Sequence, residues 1–94
     1  MASLRQFEAF VMIAELGSFT HAASQLHISQ PGLSLMVREF EAHFRGRLFD
    51  RSSRSVRLTE AGQSLLPSAR RILEEFQAAT ARLRDADSQA AQRL

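Results

Sequence analysis

The sequence contains no cysteine and no lysine, and it has only two prolines and four glycines. Without cysteine, the chain cannot form disulfide bonds or thiolate metal sites, which fits a reducing compartment. No apolar run is long enough to span a bilayer, and the N-terminus lacks the pattern of a signal peptide. We therefore expect a cytoplasmic protein that does not bind membranes.

Groupings of residues that could catalyse a reaction are also missing. The three histidines, His21, His27 and His43, fall on separate helical turns, and no carboxylates stand at a metal-ligand spacing. The sequence also lacks a glycine-rich phosphate-binding loop. It therefore predicts a protein that is not an enzyme and needs no cofactor, with its histidines at the surface or at the edge of the core.

All twelve cationic side chains are arginines, and their distribution is uneven. Residues 45–58 contain five arginines and one acid, whereas residues 1–44 contain two arginines and four acids. Residues 59–94 contain five of each sign. Because the planar guanidinium suits phosphates and base edges, the central cluster indicates either a nucleic-acid contact or a solvated charged face.

The chain is long enough for one small domain, and its first part predicts two helices. Ser3 and Gln6 form a capping-box pattern before a first helix that ends at Gly17. Ser18 can cap a second helix that ends near His27. A short connection then leads to a third helix, so these elements predict a helix-turn-helix.

The third helix begins with a cap at Ser29 and carries Pro31 in its first turn, where no helical hydrogen bond is lost. It is expected to stop at Gly46. Its predicted inner face consists of Leu33, Met36 or Val37, Phe40 and Phe44.

Two short segments with alternating apolar residues follow the third helix. They read "RLFDR" and "SVRLT", and the turn-rich "SSRS" lies between them. We interpret them as the two-stranded hairpin that forms the wing of a winged helix. The expected fold is therefore mainly α, a winged helix-turn-helix of three helices and a two-stranded wing over residues 1–58.

A long last helix is predicted over residues 59–87, capped by Thr59 and supported by Glu60. Pro67 is expected to tighten or bend its start, and residues 88–94 are expected to form a frayed tail. Apolar residues at heptad spacing indicate pairing with a second copy of the helix. The residues expected at this dimer interface are Leu65, Leu66, Ala69, Ile72, Leu73, Phe76, Thr80 and Leu83.

The residue types at the helix entrances fit DNA recognition. The N-terminal part of the third helix would enter the major groove, where Gln30 favours adenine and Ser34 can reach a base or a phosphate. Ser18 and Thr20 offer hydroxyls for a phosphate at the start of the second helix. Arg38 can contact the DNA backbone or pair with an acid. Arg51 and Arg54 flank the predicted wing tip, where phosphates or the minor groove lie within reach.

Three motifs occur together and in order: "AASQLHISQPGLS", which fits AAxxLxxSQPxxS, then "LFDR", which fits LFxR, and "VRLTEAG", which fits VxLTxAG. Over about residues 3–73 the chain resembles the N-terminal DNA-binding domain of LysR-type transcriptional regulators. The resemblance implies a homodimer joined by an antiparallel linker helix and bound to an interrupted inverted repeat in promoter DNA. It also implies an effector-binding C-terminal domain, absent from these 94 residues, and it is compatible with a tetramer of the full-length protein.

The chain departs from the family pattern at three positions. Gly32 replaces a common alanine and should loosen the third helix by up to about 1 kcal/mol. Leu35 replaces a common cation, so a groove contact is lost or exchanged for apolar contact with a thymine methyl. Arg45 takes the place of the usual glycine, so the helix is expected to end one residue later. The residues expected to contact DNA are Ser18, Thr20, Ser29, Gln30, Pro31, Gly32, Ser34, Leu35, Arg38, Arg51 and Arg54.

Two alternatives to DNA binding stay open at this point. A winged-helix module that binds proteins instead of DNA is suggested by the apolar Leu35 and Met36. A coiled-coil dimerisation element, with the winged helix as its cap, would also fit the heptad spacing.

Overall fold

The computed structural model describes residues 1–51 and 55–92. Four helices and a two-stranded antiparallel hairpin confirm the predicted mainly α, winged helix-turn-helix fold with a long C-terminal helix. In chain order the elements are α1 (Leu4–Leu16), α2 (Phe19–Leu26), α3 (Gln30–Phe44), β1 (Phe49–Asp50), β2 (Arg57–Leu58) and α4 (Glu60–Gln92).

The predicted caps set the positions of α1 and α2. Ser3 Oγ accepts from the Gln6 amide at 3.2 Å, and the Gln6 side chain accepts from the Ser3 amide at 2.9 Å. Gly17 ends α1 with a φ of 66°, a conformation that glycine adopts without steric cost. Ser18 Oγ then accepts from the His21 amide at 3.0 Å. Since Gly17 and Ser18 are adjacent, the chain reverses between α1 and α2 with almost no loop.

The third helix starts as predicted but ends earlier. Ser29 Oγ accepts from the Gly32 amide at 3.0 Å. At the other end, Arg45 adopts the left-handed conformation with a φ of 58°, and the Gly46 amide donates to the Glu41 carbonyl at 3.2 Å. The expectation of a later end, with Gly46 as the stop, is therefore wrong. The closing hydrogen bonds form with Arg45 as the cap, although an arginine there costs about 1–2 kcal/mol relative to ordinary helical backbone.

A core of aromatic and aliphatic side chains joins the three short helices to the base of the wing. The ring centroids of Phe10 and Phe49 lie 5.4 Å apart, and those of Phe7 and Phe40 lie 5.0 Å apart. On α3, Leu33, Val37 and Phe40 are buried and Met36 is half-buried.

The placement of Phe44 on the inner face of α3 is wrong. Its side chain is exposed, and it packs edge-on against Phe40 with the ring centroids 5.0 Å apart. Phe40 already fills the space between α3 and α1, so Phe44 covers the rim of the core.

The wing is tied to the start of α4. Each strand has two residues, and Phe49 pairs with Leu58. Thr59 Oγ1 donates to the Arg47 carbonyl at 2.7 Å and accepts from the Gly62 amide at 3.1 Å. Thr59 is therefore the predicted cap of α4, and the same hydroxyl fixes the chain that leads into β1.

Helix α4 leaves the domain as a long rod. It packs along α1, where Arg70 and Glu15 form an ion pair at 3.6 Å, and it is continuous through Pro67. The boundary predicted at residue 87 is wrong, because helical hydrogen bonding continues to Gln92. Across residues 1–51 and 55–92, no helix combines the length and the apolar character needed to cross a membrane.

Candidate nucleic-acid interface

The entrances of α2 and α3 come together at one surface. Thr20, in the first turn of α2, donates its hydroxyl proton to Gln30 Oε1 at the start of α3, with the oxygens 3.1 Å apart. Ser29, Pro31 and Gly32 are exposed beside this pair. The structure thus brings together the polar groups that the sequence predicted at the two helix entrances.

The outer face of α3 continues this surface along the helix. Gln30, Ser34 and Arg38 follow one another at a spacing of four residues, which places them on one side of the helix. Gln30 and Arg38 are exposed, and Ser34 is half-buried. Leu35 is 51% exposed next to them. This face is polar except for Leu35, whereas Leu33 and Val37 point into the core.

A recess of about 220 Å³ lies where α2, α3 and the wing meet. Phe19, Gln30, Ser34, Arg51 and Val56 line it. Its walls therefore combine an aromatic ring and an aliphatic side chain with an amide, a hydroxyl and a guanidinium. Such a mixture can accept both the polar and the apolar parts of a nucleotide.

Arg51 is held by the protein itself. Its Nη2 lies 3.4 Å from Glu41 Oε1, and its guanidinium lies over the Phe19 ring, 5.0 Å from the centroid. The side chain is only 31% exposed. Arg51 therefore has a structural role besides the predicted phosphate contact. Its guanidinium links the wing to Glu41 of α3 and to Phe19 of α2.

Glu41 is a structural residue that the sequence reasoning missed. The residue is 5% exposed, and its carboxylate accepts from the Leu48 amide at 2.7 Å and the Phe49 amide at 3.3 Å. These bonds fix the chain that enters β1 and satisfy two buried donors. The sequence contains one signal for this role. Glu41 directly follows Phe40, which belongs to the predicted inner face of α3, so its carboxylate could be expected to point inward.

The arginine cluster of residues 45–58 extends the surface toward the C-terminal end of α3. Arg38, Arg45, Arg47 and Arg51 line a second recess of about 480 Å³, which also contains Glu41. In the described part of the chain Arg38 forms no ion pair. Arg45 and Arg47 therefore add positive potential beside the predicted contacts, although the sequence reasoning did not assign them to the site.

One predicted wing contact lies outside this description. Arg54 falls on residues 52–54, which are not among the described residues.

The apolar stripe of α4 divides into two parts. Ala69 is fully buried in the core of its own chain, and Leu65, Leu66 and Leu73 pack against that core. The prediction that Ala69 forms a dimer interface is therefore wrong, because no surface of this residue is left for a second subunit. Farther along, Phe76 is 54% exposed, Ile72 and Leu83 are also exposed, and Thr80 is half-buried.

Comparisons with known proteins agree with this architecture. The family of bacterial regulatory helix-turn-helix proteins of the LysR type matches residues 4–63. A transcriptional regulator from the ibpB–leuC intergenic region of Azotobacter vinelandii is 50% identical over 70 residues, which are 74% of this chain and 49% of that protein. The chain thus spans about half the length of that relative.

Two solved structures have the same fold at significant sequence identity. A complex of the BenM DBD with catB site 1 DNA has a TM-score of 0.88 and 31% identity, and it covers 92% of this chain and 97% of that one. A CbnR DBD–DNA complex has a TM-score of 0.82 and 39% identity, with coverages of 89% and 97%. The motif-bearing segment, the winged helix and these matches together show that the chain belongs to the LysR family of bacterial regulatory helix-turn-helix proteins.

Proposed function

We propose that this domain binds double-stranded promoter DNA with sequence specificity and acts as the DNA-binding part of a cytoplasmic transcriptional regulator. Helix α3 lies in the major groove, and the wing contacts the phosphate backbone or the minor groove. The function is recognition without catalysis. The BenM and CbnR domains, which share this fold, are bound to DNA in their structures.

The observation that carries the proposal is the single surface formed by the entrances of α2 and α3. It combines hydroxyls, the Gln30 amide and the guanidiniums of Arg38 and Arg51. Amides and hydroxyls at the start of a helix can read base edges, while guanidiniums neutralise phosphates on either side. The Arg45 and Arg47 side chains widen the positive region along the same side of the molecule.

The exposed part of α4 supports a homodimer. Ile72, Phe76 and Leu83 present apolar side chains to solvent beyond the domain core, and Thr80 lies between the last two in sequence. Pairing of two such helices would bury this stripe and place two α3 helices on one DNA duplex. Two-fold symmetry of the protein then requires an interrupted inverted repeat. An effector would act through a further C-terminal domain.

Titration of DNA at several salt concentrations tests the proposal. The preferred motif is first selected from a pool of random duplexes. The affinity of the chain for that motif and for a scrambled duplex is then measured between about 50 and 200 mM salt. For a few phosphate contacts, the affinity should fall about ten- to a thousandfold over this range. The preferred motif should bind more tightly at every salt concentration. Affinity that is independent of both salt and sequence would contradict DNA binding and favour a protein partner for the surface around Leu35.

A further inference from the structure

We propose that Thr20 is a positioning residue that sets the base preference of Gln30, instead of contacting a phosphate itself. The inference rests on the proposed DNA binding and adds to it the origin of specificity at one base position. Its basis is the hydrogen bond between the Thr20 hydroxyl and Gln30 Oε1 at 3.1 Å.

The hydroxyl of Thr20 carries a single proton. A phosphate oxygen can only accept hydrogen bonds, and Gln30 Oε1 also accepts. While the proton is donated to Gln30, it is not available to the DNA backbone. The phosphate contact predicted for Thr20 and the observed hydrogen bond therefore exclude one another.

The bond also fixes the orientation of the Gln30 amide. Gln30 is an exposed residue at the first position of α3, where its side chain would otherwise rotate freely between several conformers. With Oε1 held against Thr20, the N–H₂ group is the part of the amide that stays available to a base. A fixed pair of donors requires an acceptor on the base edge opposite.

The major-groove edges of the four bases differ in this respect. Adenine presents N7, guanine presents N7 and O6, and thymine presents O4, all of which accept hydrogen bonds. Cytosine presents only its N4–H₂ donor, which would face the donors of Gln30. Thr20 therefore causes the domain to reject cytosine at the contacted position. The hydrogen bond becomes stronger when DNA excludes water from it.

Five variants of the 94-residue chain test this role: Thr20→Val, Thr20→Ser, Thr20→Ala, Gln30→Ala and the double variant Thr20→Val with Gln30→Ala. Valine has nearly the same shape as threonine but no hydroxyl, and serine keeps the hydroxyl. Affinities are measured for the selected motif, for its three single-base variants at the position that depends on Gln30, and for a scrambled duplex at two salt concentrations. Thermal unfolding verifies that each variant is folded. Thr20→Ala also removes the hydroxyl, and it shows whether an effect of Thr20→Val comes from that loss or from the valine side chain.

The proposal predicts that Thr20→Val lowers discrimination against cytosine about five- to tenfold, at the same position as Gln30→Ala. Thr20→Ser should keep the discrimination, and the double variant should equal Gln30→Ala. The salt dependence of binding to the scrambled duplex should be the same for Thr20→Val as for Thr20→Ser, because the proposal gives the Thr20 hydroxyl no phosphate contact to lose.

A different outcome would overturn the role of Thr20 while DNA binding stands. If Thr20→Val weakened binding to all duplexes alike, flattened the salt dependence and added to the effect of Gln30→Ala, Thr20 would contact a phosphate directly. If the unaltered chain showed no salt-dependent binding to any duplex, the proposed function would fail and the inference would fail with it.

Discussion

Leu35 is half-exposed in the middle of a surface whose other predicted DNA contacts are polar or small. An apolar side chain in that place gains nothing from phosphates or from hydrogen-bonding base edges. The one apolar group on a major-groove edge is the thymine methyl. At the scale of the residue, the polar and small neighbours of Leu35 therefore favour contact with a thymine methyl as its part in DNA recognition.

We predict that Leu35 distinguishes thymine from deoxyuridine, which lacks the methyl group. Replacing one thymine of the selected motif by deoxyuridine should weaken binding about fourfold, since a buried methylene contributes about 0.8 kcal/mol. Fluorescence anisotropy with each thymine replaced in turn measures the effect. The same replacement outside the half-sites is the control. Leu35→Ala should remove the difference at that one thymine; an undiminished difference in this variant would assign the methyl contact to another residue.

Other residues could not be assigned from the sequence because their role depends on a partner distant along the chain. Glu41 looks like any acid on an amphipathic helix until the chain of Leu48 and Phe49 returns over it. Arg51 was predicted from its place near the wing tip, yet its contacts with Glu41 and Phe19 come from elements that the sequence separates. The N-terminal caps were assigned correctly because each capping hydroxyl and the amide that it accepts from lie three residues apart.

At the scale of the elements, the junction of the wing and α4 depends on a glycine. Gly62 is buried in the first turn of α4, and a Cβ there would overlap the Leu48 carbonyl oxygen and come within 2.8 Å of a Leu58 methyl. Glycine within a helix costs about 1 kcal/mol relative to alanine. The absence of a side chain lets α4 approach the chain at Leu48 closely. Thr59 can then bond both the Gly62 amide and the Arg47 carbonyl.

Gly62→Ala should therefore destabilise the domain despite the better helix propensity of alanine. Overpacking against a backbone carbonyl costs about 1–3 kcal/mol, which exceeds the gain of about 1 kcal/mol. Urea denaturation followed by circular dichroism measures the change in the free energy of unfolding.

Gly46→Ala is the matched control for this substitution. A Cβ at Gly46 meets no atom within 4 Å, and its φ is not positive. This variant should be neutral or up to about 1 kcal/mol more stable, because alanine restricts the unfolded chain. A Gly62→Ala variant at least as stable as the wild type would show that the wing and α4 can separate without cost.

At the scale of the whole molecule, α4 determines the shape. The molecule measures 59 Å by 25 Å by 22 Å, and a helix of 33 residues accounts for about 50 Å of the long dimension. The domain covers only the first part of the apolar stripe of α4. Ile72, Phe76 and Leu83 lie on the remainder, which is therefore the surface where a second copy of the chain gains most from pairing.

Phe76→Glu should shift the chain from dimer to monomer. An exposed phenylalanine adds little to the stability of a single chain, but a carboxylate in a paired helical seam is desolvated. Sedimentation velocity measures the change in mass, and circular dichroism verifies that the helix content is kept. Gln77→Glu introduces the same charge at the next position, on a different side of α4, and should leave the dimer intact. A Phe76→Glu variant that still sediments as a dimer would place the interface elsewhere.

The order of elements, the N-terminal caps of α1, α2, α3 and α4, and the residues at the two helix entrances could all be predicted from the sequence. These follow from local rules of spacing and hydrogen bonding. The tertiary structure was needed to see which part of the α4 stripe is covered, where Arg51 is anchored and which group receives the Thr20 proton. Each of these depends on contacts between segments that fold onto one another, and helical spacing alone does not distinguish a side chain packed against its own core from one left for a partner.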